Sequence, residues 1–532
     1  MNSEAAIERF CYLGNLKPIY IAKKIKIDCE NSSEYFKLVE TIDVDQFLKI
    51  IRTCLERGTL PRKDELWYIY AIYMCSSTKQ DNKKLAGSEF ANLASTAEDL
   101  FIFAYYAKQL RENDNKKGFS NSVRRAIANW YEKQEIYKFT DSVSKNVGLY
   151  GFTHRDLISL CHVNTKENGL DEILDYVFKP KKAKLHNENE SLSEYQKAFV
   201  DIQTFKKSGD NTLMKRLIDE KKLDFENFPS SQRNKIENWE LILPTMSYHQ
   251  LLDNLFFLVE KQFFENAKFS KLFMEIIGKR DAIRKENIHP IILLNLKNRL
   301  VKQTRYSESV KQNYHSKTTQ SSDLKPNQKL NTKLSEIFDN SFDNYHGPPV
   351  RTMVAINIAE KFKRQSVISQ KQVNCFEAAV TLALSFYKNN QPSSVYAFSS
   401  ARMKKIDWKK NWNFTQASEY CTPFVTQKVV QRLMLPLDEA LGLKNDVFDL
   451  ILIVVGSATF GNSNGKPDQL IERLQQYRKK KNDKTKVIVI NLRRFRPSME
   501  HENLKSDGIL EICGINENTL KIINAFALNH FN

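Results

Sequence analysis

The hydrophobic period changes once along this chain, and that change bounds the fold. From Val44 to about Leu300, apolar residues recur at i, i+3 and i+4 in segment after segment. The segments lie near 44–56, 64–76, 87–97, 99–111, 120–134, 153–162, 169–178, 191–207, 211–222, 247–265, 268–278 and 288–300. Short polar connections separate most of them. A long run of such helices without strands predicts an α-solenoid of helical hairpins, which presents a long curved surface to a large partner.

Residues 302–330 are polar and basic throughout and read as a linker. The period then switches to short, continuous apolar runs: Val350–Ile358, Ser394–Ser399, Asp449–Val455 and Lys486–Ile490. Helix patterns alternate with them at Gln370–Tyr387 and from about Pro467 to Lys480. Strands of this kind belong to a parallel sheet covered on both faces, so the C-terminal part is a doubly wound α/β domain. The expected organisation is an α-helical domain over 1–301, a linker and connecting helix over 302–345, and the α/β domain over 346–532. The run Lys17–Asp28, ahead of the helices, alternates as a short strand or hairpin edge does.

Composition narrows the class of partner. The 81 Lys and Arg against 63 Asp and Glu give a net charge of +18, a positive field that favours a polyanion. The eight cysteines form no CxxC and no Cys/His cluster with zinc spacing, so they read as reduced, buried thiols of an intracellular protein. The N-terminus lacks the pattern of a signal peptide, and no apolar run nears the roughly 20 residues that span a bilayer. The expectation is a soluble cytoplasmic chain, with the nucleus as a second compartment, and no membrane partner.

The basic residues concentrate in meaning between Gly118 and His162. GFSNSVRRAIANWYEKQ (Gly118–Gln134) and GFTHRDLISLCHV (Gly151–Val163) each read as a helix with an apolar stripe and a basic edge. In the first, Val123, Ile127, Trp130 and Tyr131 face a core, while Arg124 and Arg125 lie on or beside the opposite face. In the second, Leu157, Leu160 and Cys161 pack inward and His154, Arg155 and His162 point elsewhere. An arginine-rich edge of this kind grips phosphates, and its bland alternative is a solvated helix face. Trp130, Tyr131 and Trp239 read as core, and His289, ahead of Pro290, as a helix cap. The charge runs Lys179–Lys184 and Arg478–Lys486 read as solvated surface.

With these segments in place the chain resembles a known family. VRRAIANWY (Val123–Tyr131), GFTHRDLISLCH (Gly151–His162), WELILPTMSYHQLLDNL (Trp239–Leu255) and NIHPIILLNL (Asn287–Leu296) follow one another as in the Ro ribonucleoprotein autoantigen, or TROVE-domain, family. YAFS (Tyr396–Ser399) and GILEICGI (Gly508–Ile515) are similar to its von Willebrand factor A-like domain. The resemblance implies a ring of HEAT-like helical repeats joined by that α/β domain. It implies binding of small noncoding Y RNAs on the outer basic surface, and of single-stranded 3′ ends of misfolded RNA in the ring's hole, in RNA quality control. Other RNA-binding proteins are further implied partners; DNA is not. By correspondence with the family's basic and imidazole positions, the implied RNA contacts are Lys108, Arg124, Arg125, Lys145, His154, Arg155 and His162. Asn121, Leu149 and Asp253 stand where the family carries basic residues, which implies a reduced or altered contact set.

The family's A-like domain holds a metal through an Asp-x-Ser-x-Ser loop. Here that loop is Asn357-Ile358-Ala359-Glu360-Lys361, and Gly456 replaces the second-strand aspartate. A hard divalent cation needs clustered oxygen ligands, at least one anionic, so the expectation is a degenerate site at Asn357, Ala359, Lys361 and Gly456 with no metal and no other cofactor. Gly461–Lys466 lacks the P-loop spacing, and neither GxSxG nor HExxH occurs, so no enzyme is expected. The chain reads as an RNA-binding scaffold. The alternative is a protein–protein adaptor whose basic edge is incidental.

Overall fold

In a computed structural model, the structure describes residues 3–23, 27, 29–145, 148–164, 169–179, 192–313, 327–345, 347–388, 392–398, 402–425, 433–456, 467–497 and 508–531, with the backbone alone at 302–313, 467 and 468. The helical period holds. Val44–Glu56, Asp64–Cys75, Ala97–Asn113, Asn121–Glu132, His154–Cys161 and Tyr248–Glu260 are helices near the expected bounds. The segment expected near 87–97 lies earlier, at Gln80–Leu93, because Ala97 opens the next helix behind a capping box between Thr96 and Asp99. Helices at Ser3–Leu13, Ser33–Glu40 and Ile136–Lys145 were not legible in the pattern. The last long helix, Pro290–Asn313, runs on into the region read as linker, and Gln328–Ser341 is helical too. The remainder of that linker, 314–326, lies outside the described residues.

The strands, in chain order, are β1 Ile19–Ile21, β2 Gly148–Leu149, β3 Phe152–Thr153, β4 Thr352–Asn357, β5 Ser393–Phe398, β6 Met403–Ile406, β7 Leu450–Val455, β8 Lys486–Asn491 and β9 Ile509–Cys513. β2 and β3 form a two-stranded hairpin inside the helical region, where no strand was expected. The other seven make one sheet in the order β1-β9-β8-β7-β4-β5-β6, parallel throughout except where β6 runs antiparallel to β5. The central strands are apolar without interruption because both faces are covered, and alternate residues enter two cores. Val354, Leu452, Val454, Ile488 and Ile490 join the core that continues through the helical region. Met353, Ala355, Ile451, Ile453 and Val489 meet Leu437, Leu470, Leu474 and Tyr477 of the helices Leu435–Gly442 and Pro467–Lys480 on the other face. This is the expected doubly wound α/β architecture.

The edge strand comes from the far end of the chain. β1 pairs with β9 with Tyr20 opposite Ile512, and the Glu511 and Ala22 amides donate to the Pro18 and Cys513 carbonyls at 3.0 and 2.8 Å. Nearby, Tyr12 stacks on Phe531 at 5.0 Å and Arg57 donates to the His530 carbonyl at 3.0 Å. The helical series returns to the same domain at its other end. Asn298 donates to the Gln372 carbonyl and to Glu377, and the Phe414 amide donates to Asp339. The helices therefore start and end against the α/β domain, and the chain closes on itself.

Tyr20 is fully buried in this clasp and its hydroxyl meets Asn516. Truncating a buried aromatic of this size removes transfer energy and leaves a cavity, so Tyr20→Ala should cost about 3–5 kcal/mol in denaturant unfolding. Lys17→Ala beside it should stay within about 0.5 kcal/mol.

Candidate nucleic-acid interface

The helix Asn121–Glu132 starts because the Ser120 hydroxyl accepts from the Val123 amide, at 3.3 Å. Its inward stripe is Val123, Ala126, Ile127, Trp130 and Tyr131, as expected, and the Trp130 indole donates to the Ala94 carbonyl at 2.7 Å. Arg125 and Asn121 are exposed on the other side. Arg124 is half-buried, and its Nε reaches no hydrogen-bond partner. Ahead of the helix, Gly118 turns the chain at φ +64°, and its carbonyl accepts from Arg111 Nε at 2.8 Å.

The second helix, His154–Cys161, opens with a capping box. The Thr153 hydroxyl accepts from the Asp156 amide at 3.1 Å, and Asp156 accepts from the Thr153 amide at 2.8 Å. Its buried face is His154, Leu157, Ile158 and Cys161, spaced i, i+3, i+4, i+7. This corrects two expectations. Leu160 points out, 45% exposed, and His154 points in, 2% exposed. His154 Nδ1 and the Tyr131 hydroxyl are 2.8 Å apart, the Ser142 hydroxyl is 3.4 Å from Nε2, and the Phe101 ring lies at 4.9 Å. His154 is a core residue and leaves the contact set. Burial holds its imidazole pKa down at about 4, so it is neutral at physiological pH.

Lys145 also leaves the set. It closes the helix Ile136–Lys145 and is held by Asp141 at 2.9 Å and Asp224 at 2.7 Å, with a side chain only 20% exposed. Two carboxylates already neutralise it and tie this helix to the turn at Phe225–Asn227, so a phosphate would have to displace them. The remaining residues do come together. The helices Ala97–Asn113, Asn121–Glu132 and His154–Cys161 pack against one another in sequence. Lys108 lies over the Phe152 ring of the hairpin at 5.2 Å, with Glu112 at 3.6 Å. Burial pushes the pKa of the Cys161 thiol, at the end of the second helix, up to about 12, and the positive charge of Arg124 partly offsets it. There His162, in a left-handed conformation at φ 54°, closes that helix and is exposed. Arg155 is exposed at the helix start, over the Phe178 ring at 5.7 Å.

Lys116 and Lys117 were missed. Both are exposed in the loop that leads into Gly118, and Lys133 is exposed past the end of the Asn121–Glu132 helix. The dipeptide KKG directly before the capped helix was the available signal. Of the positions where basic residues are absent, Asn121 and Asp253 are exposed and Leu149 is 39% exposed on the hairpin. His289 is a cap, as expected: its Nδ1 accepts from the Ile291 amide at 2.9 Å. The run Arg478–Lys486 is not wholly solvated, since Lys486 is buried and donates to the Phe526 carbonyl. Most of Lys179–Lys184, and all of Gly461–Lys466, lie outside the described residues.

The α/β domain's strand-end site does not suit a divalent cation. Asn357 is buried and donates to the Phe398 carbonyl at 3.0 Å, which leaves one neutral oxygen, Oδ1, unpartnered. The Ala359 side chain offers no ligand atom, and Lys361 brings a positive charge. A side chain at Gly456 would collide with the Phe362 ring, so the ring occupies the place of the aspartate. No cluster of three His, Cys, Asp or Glu occurs among the described residues. One amide oxygen does not replace a set of anionic ligands.

The Ro60 von Willebrand factor A domain family matches residues 351–527. RNA-binding protein RO60 of Caenorhabditis elegans is 21% identical, over 99% of this chain and 88% of that protein. The crystal structure of the Ro (RSR) protein of Deinococcus radiodurans superposes with a TM-score of 0.80 at 17% identity, over 99% of this chain and 100% of that one. The fold is shared along the whole length.

The buried His154 ties stability to pH. An imidazole that charges less readily when folded contributes fully above pH 6.5, and its contribution is lost as pH falls from 6.5 through about 4. The loss is on the order of 3 kcal/mol at full protonation. Denaturant unfolding at pH 7 and pH 4.5 should show this fall, and His154→Gln should flatten it; an unchanged slope in that variant would assign the acid sensitivity elsewhere.

Proposed function

We propose that this chain is a member of the Ro ribonucleoprotein (TROVE-domain) family and an RNA-binding protein which grips its ligand along the edge between Lys108 and His162. The observation that carries the reading is the exposure of Arg125, Arg155 and His162, with Arg124 and Lys108 partly exposed, on three helices that pack in succession. A relative named for RNA binding aligns along nearly the whole chain, which supports the same activity here. The ligand is a small noncoding, Y-like RNA, with single-stranded ends of misfolded RNA as a second class, in RNA quality control or stability.

The chemistry follows from the residue types. Arginine presents a planar fork of donors that matches phosphate oxygens, and His162 offers a ring N–H that can donate to a sugar or phosphate oxygen. Contacts of this kind recognise the shape and backbone of a structured RNA rather than its sequence. Lys116, Lys117 and Lys133 extend the positive track around the Asn121–Glu132 helix. Without His154 and Lys145, the set is smaller than the family correspondence implies. The protein acts by binding, in the cytoplasm and also the nucleus, with no reaction step of its own.

Filter binding with a structured small RNA across a salt series tests this. Arg124→Ala with Arg125→Ala should weaken binding by about 10–100-fold at low salt and reduce the log–log salt slope by about 1–2. His154→Gln should leave the slope unchanged. Binding and slope unaltered in the double variant would remove this edge from the interface.

A further inference from the structure

Where the helical series rejoins the α/β domain, three segments enclose a cavity of about 610 Å³. One is Arg284–Pro290, at the junction of the helices Arg280–Lys285 and Pro290–Asn313. The second is Asp343–Tyr345 of the connector. The third is Glu517–Asn524, leading into the helix Thr519–Ala527. The size suits a small molecule.

His289, one of its lining residues, carries an unused donor. His289 is 7% exposed, and its Nδ1 accepts the Ile291 amide at 2.9 Å. A neutral imidazole whose Nδ1 accepts must carry its proton on Nε2. Burial, reinforced by the Lys521 charge, keeps the ring neutral, with a pKa lowered to about 3. Nε2 is buried and reaches no acceptor. A buried donor left in this state is destabilising, so it requires an explanation. The walls beside it are already set: Tyr345 donates to Asn524 at 2.8 Å, and Asn344 to the Ile283 carbonyl at 3.2 Å. Above them the rim carries two cations, Arg284 and Lys521, and two carboxylates, Asp343 and Glu517, all exposed.

The pairing of signs selects the ligand. Two cations and an N–H donor call for an anionic oxygen, but a bare oxyanion would also face two carboxylates. A ligand that brings hydroxyl donors together with its anion satisfies both. We propose that this cavity binds a phosphorylated sugar, for which ribonucleoside monophosphates are the probes. The phosphate accepts from His289 Nε2, Lys521 and Arg284, and the sugar hydroxyls donate to Asp343 and Glu517. Paired arginine and lysine suit a phosphate, and acidic side chains are apt acceptors for ribose hydroxyls. The site is separate from the Lys108–His162 edge and does not depend on that edge binding RNA.

Isothermal titration of the full chain with AMP, GMP, CMP and UMP, each tested singly, decides it. At least one should bind, with a dissociation constant of roughly 1 mM or tighter, and the matching nucleoside and inorganic phosphate should each bind at least about tenfold more weakly. Lys521→Ala and Arg284→Ala alter exposed side chains and should keep the fold while weakening that nucleotide at least about tenfold. Asp343→Asn with Glu517→Gln should weaken the nucleotide yet strengthen inorganic phosphate. Arg124→Ala with Arg125→Ala should leave nucleotide binding unchanged. The proposal is overturned if none of the four binds, if binding survives Lys521→Ala and Arg284→Ala, or if the carboxylate variant binds the nucleotide more tightly.

Discussion

The parallel pairing of Tyr20 with Ile512 joins the two ends of the chain, and the positions of the other elements depend on it. A solenoid of helical hairpins has two free ends, each with apolar surface to cover. Here the first helix and β1 are covered by β9 and the final helix, with Tyr12 on Phe531 and Arg57 on the His530 carbonyl. The last helices are covered by the opposite flank of the same domain through Asn298 and Phe338. A parallel strand pair between distant segments carries a large loop-closure cost, so it persists only because Tyr20, Ile512 and their neighbours are buried on both faces. The α/β domain is thus the closing block of the helical series as well as a fold of its own.

That role accounts for what the α/β domain has kept and lost. Its parallel core is intact, with both faces packed and the central strands wholly buried. The strand-end loop has been rebuilt: Phe362 fills the space at Gly456, and Asn357 is turned to the Phe398 carbonyl. A packed apolar ring at this point favours rigidity over ion binding. The basic edge lies on the helical part, where side chains point outward from a scaffold held at both ends.

Much of the fold was legible because it rests on local period. Val44–Glu56 is visible in its apolar spacing, and β7 and β8 in their unbroken apolar runs. β6 was not, because it is a short edge strand whose Lys404 and Lys405 break the apolar pattern. β1 could be read as extended, but its partner lies at the other end of the chain and no local signal names it. The site was legible in part. Arg124 and Arg125 follow from the phase of the Val123–Ile127–Tyr131 stripe. His154 was assigned outward by including Leu160 in the stripe; the correct phase, 154-157-158-161, was present in the sequence. Lys145 could not be judged, because Asp224, which neutralises it, is distant in sequence and is brought in by tertiary packing.

Under the proposed function, a closed helical scaffold offers a basic edge to RNA. Photo-crosslinking of the natively purified protein, with sequencing of the bound RNA and mapping of the crosslinked peptides, tests that most directly. One or a few enriched small structured RNAs are expected, with crosslinks concentrated between Lys108 and His162. Recovery of no enriched RNA, or crosslinks confined to other surfaces, would contradict this reading.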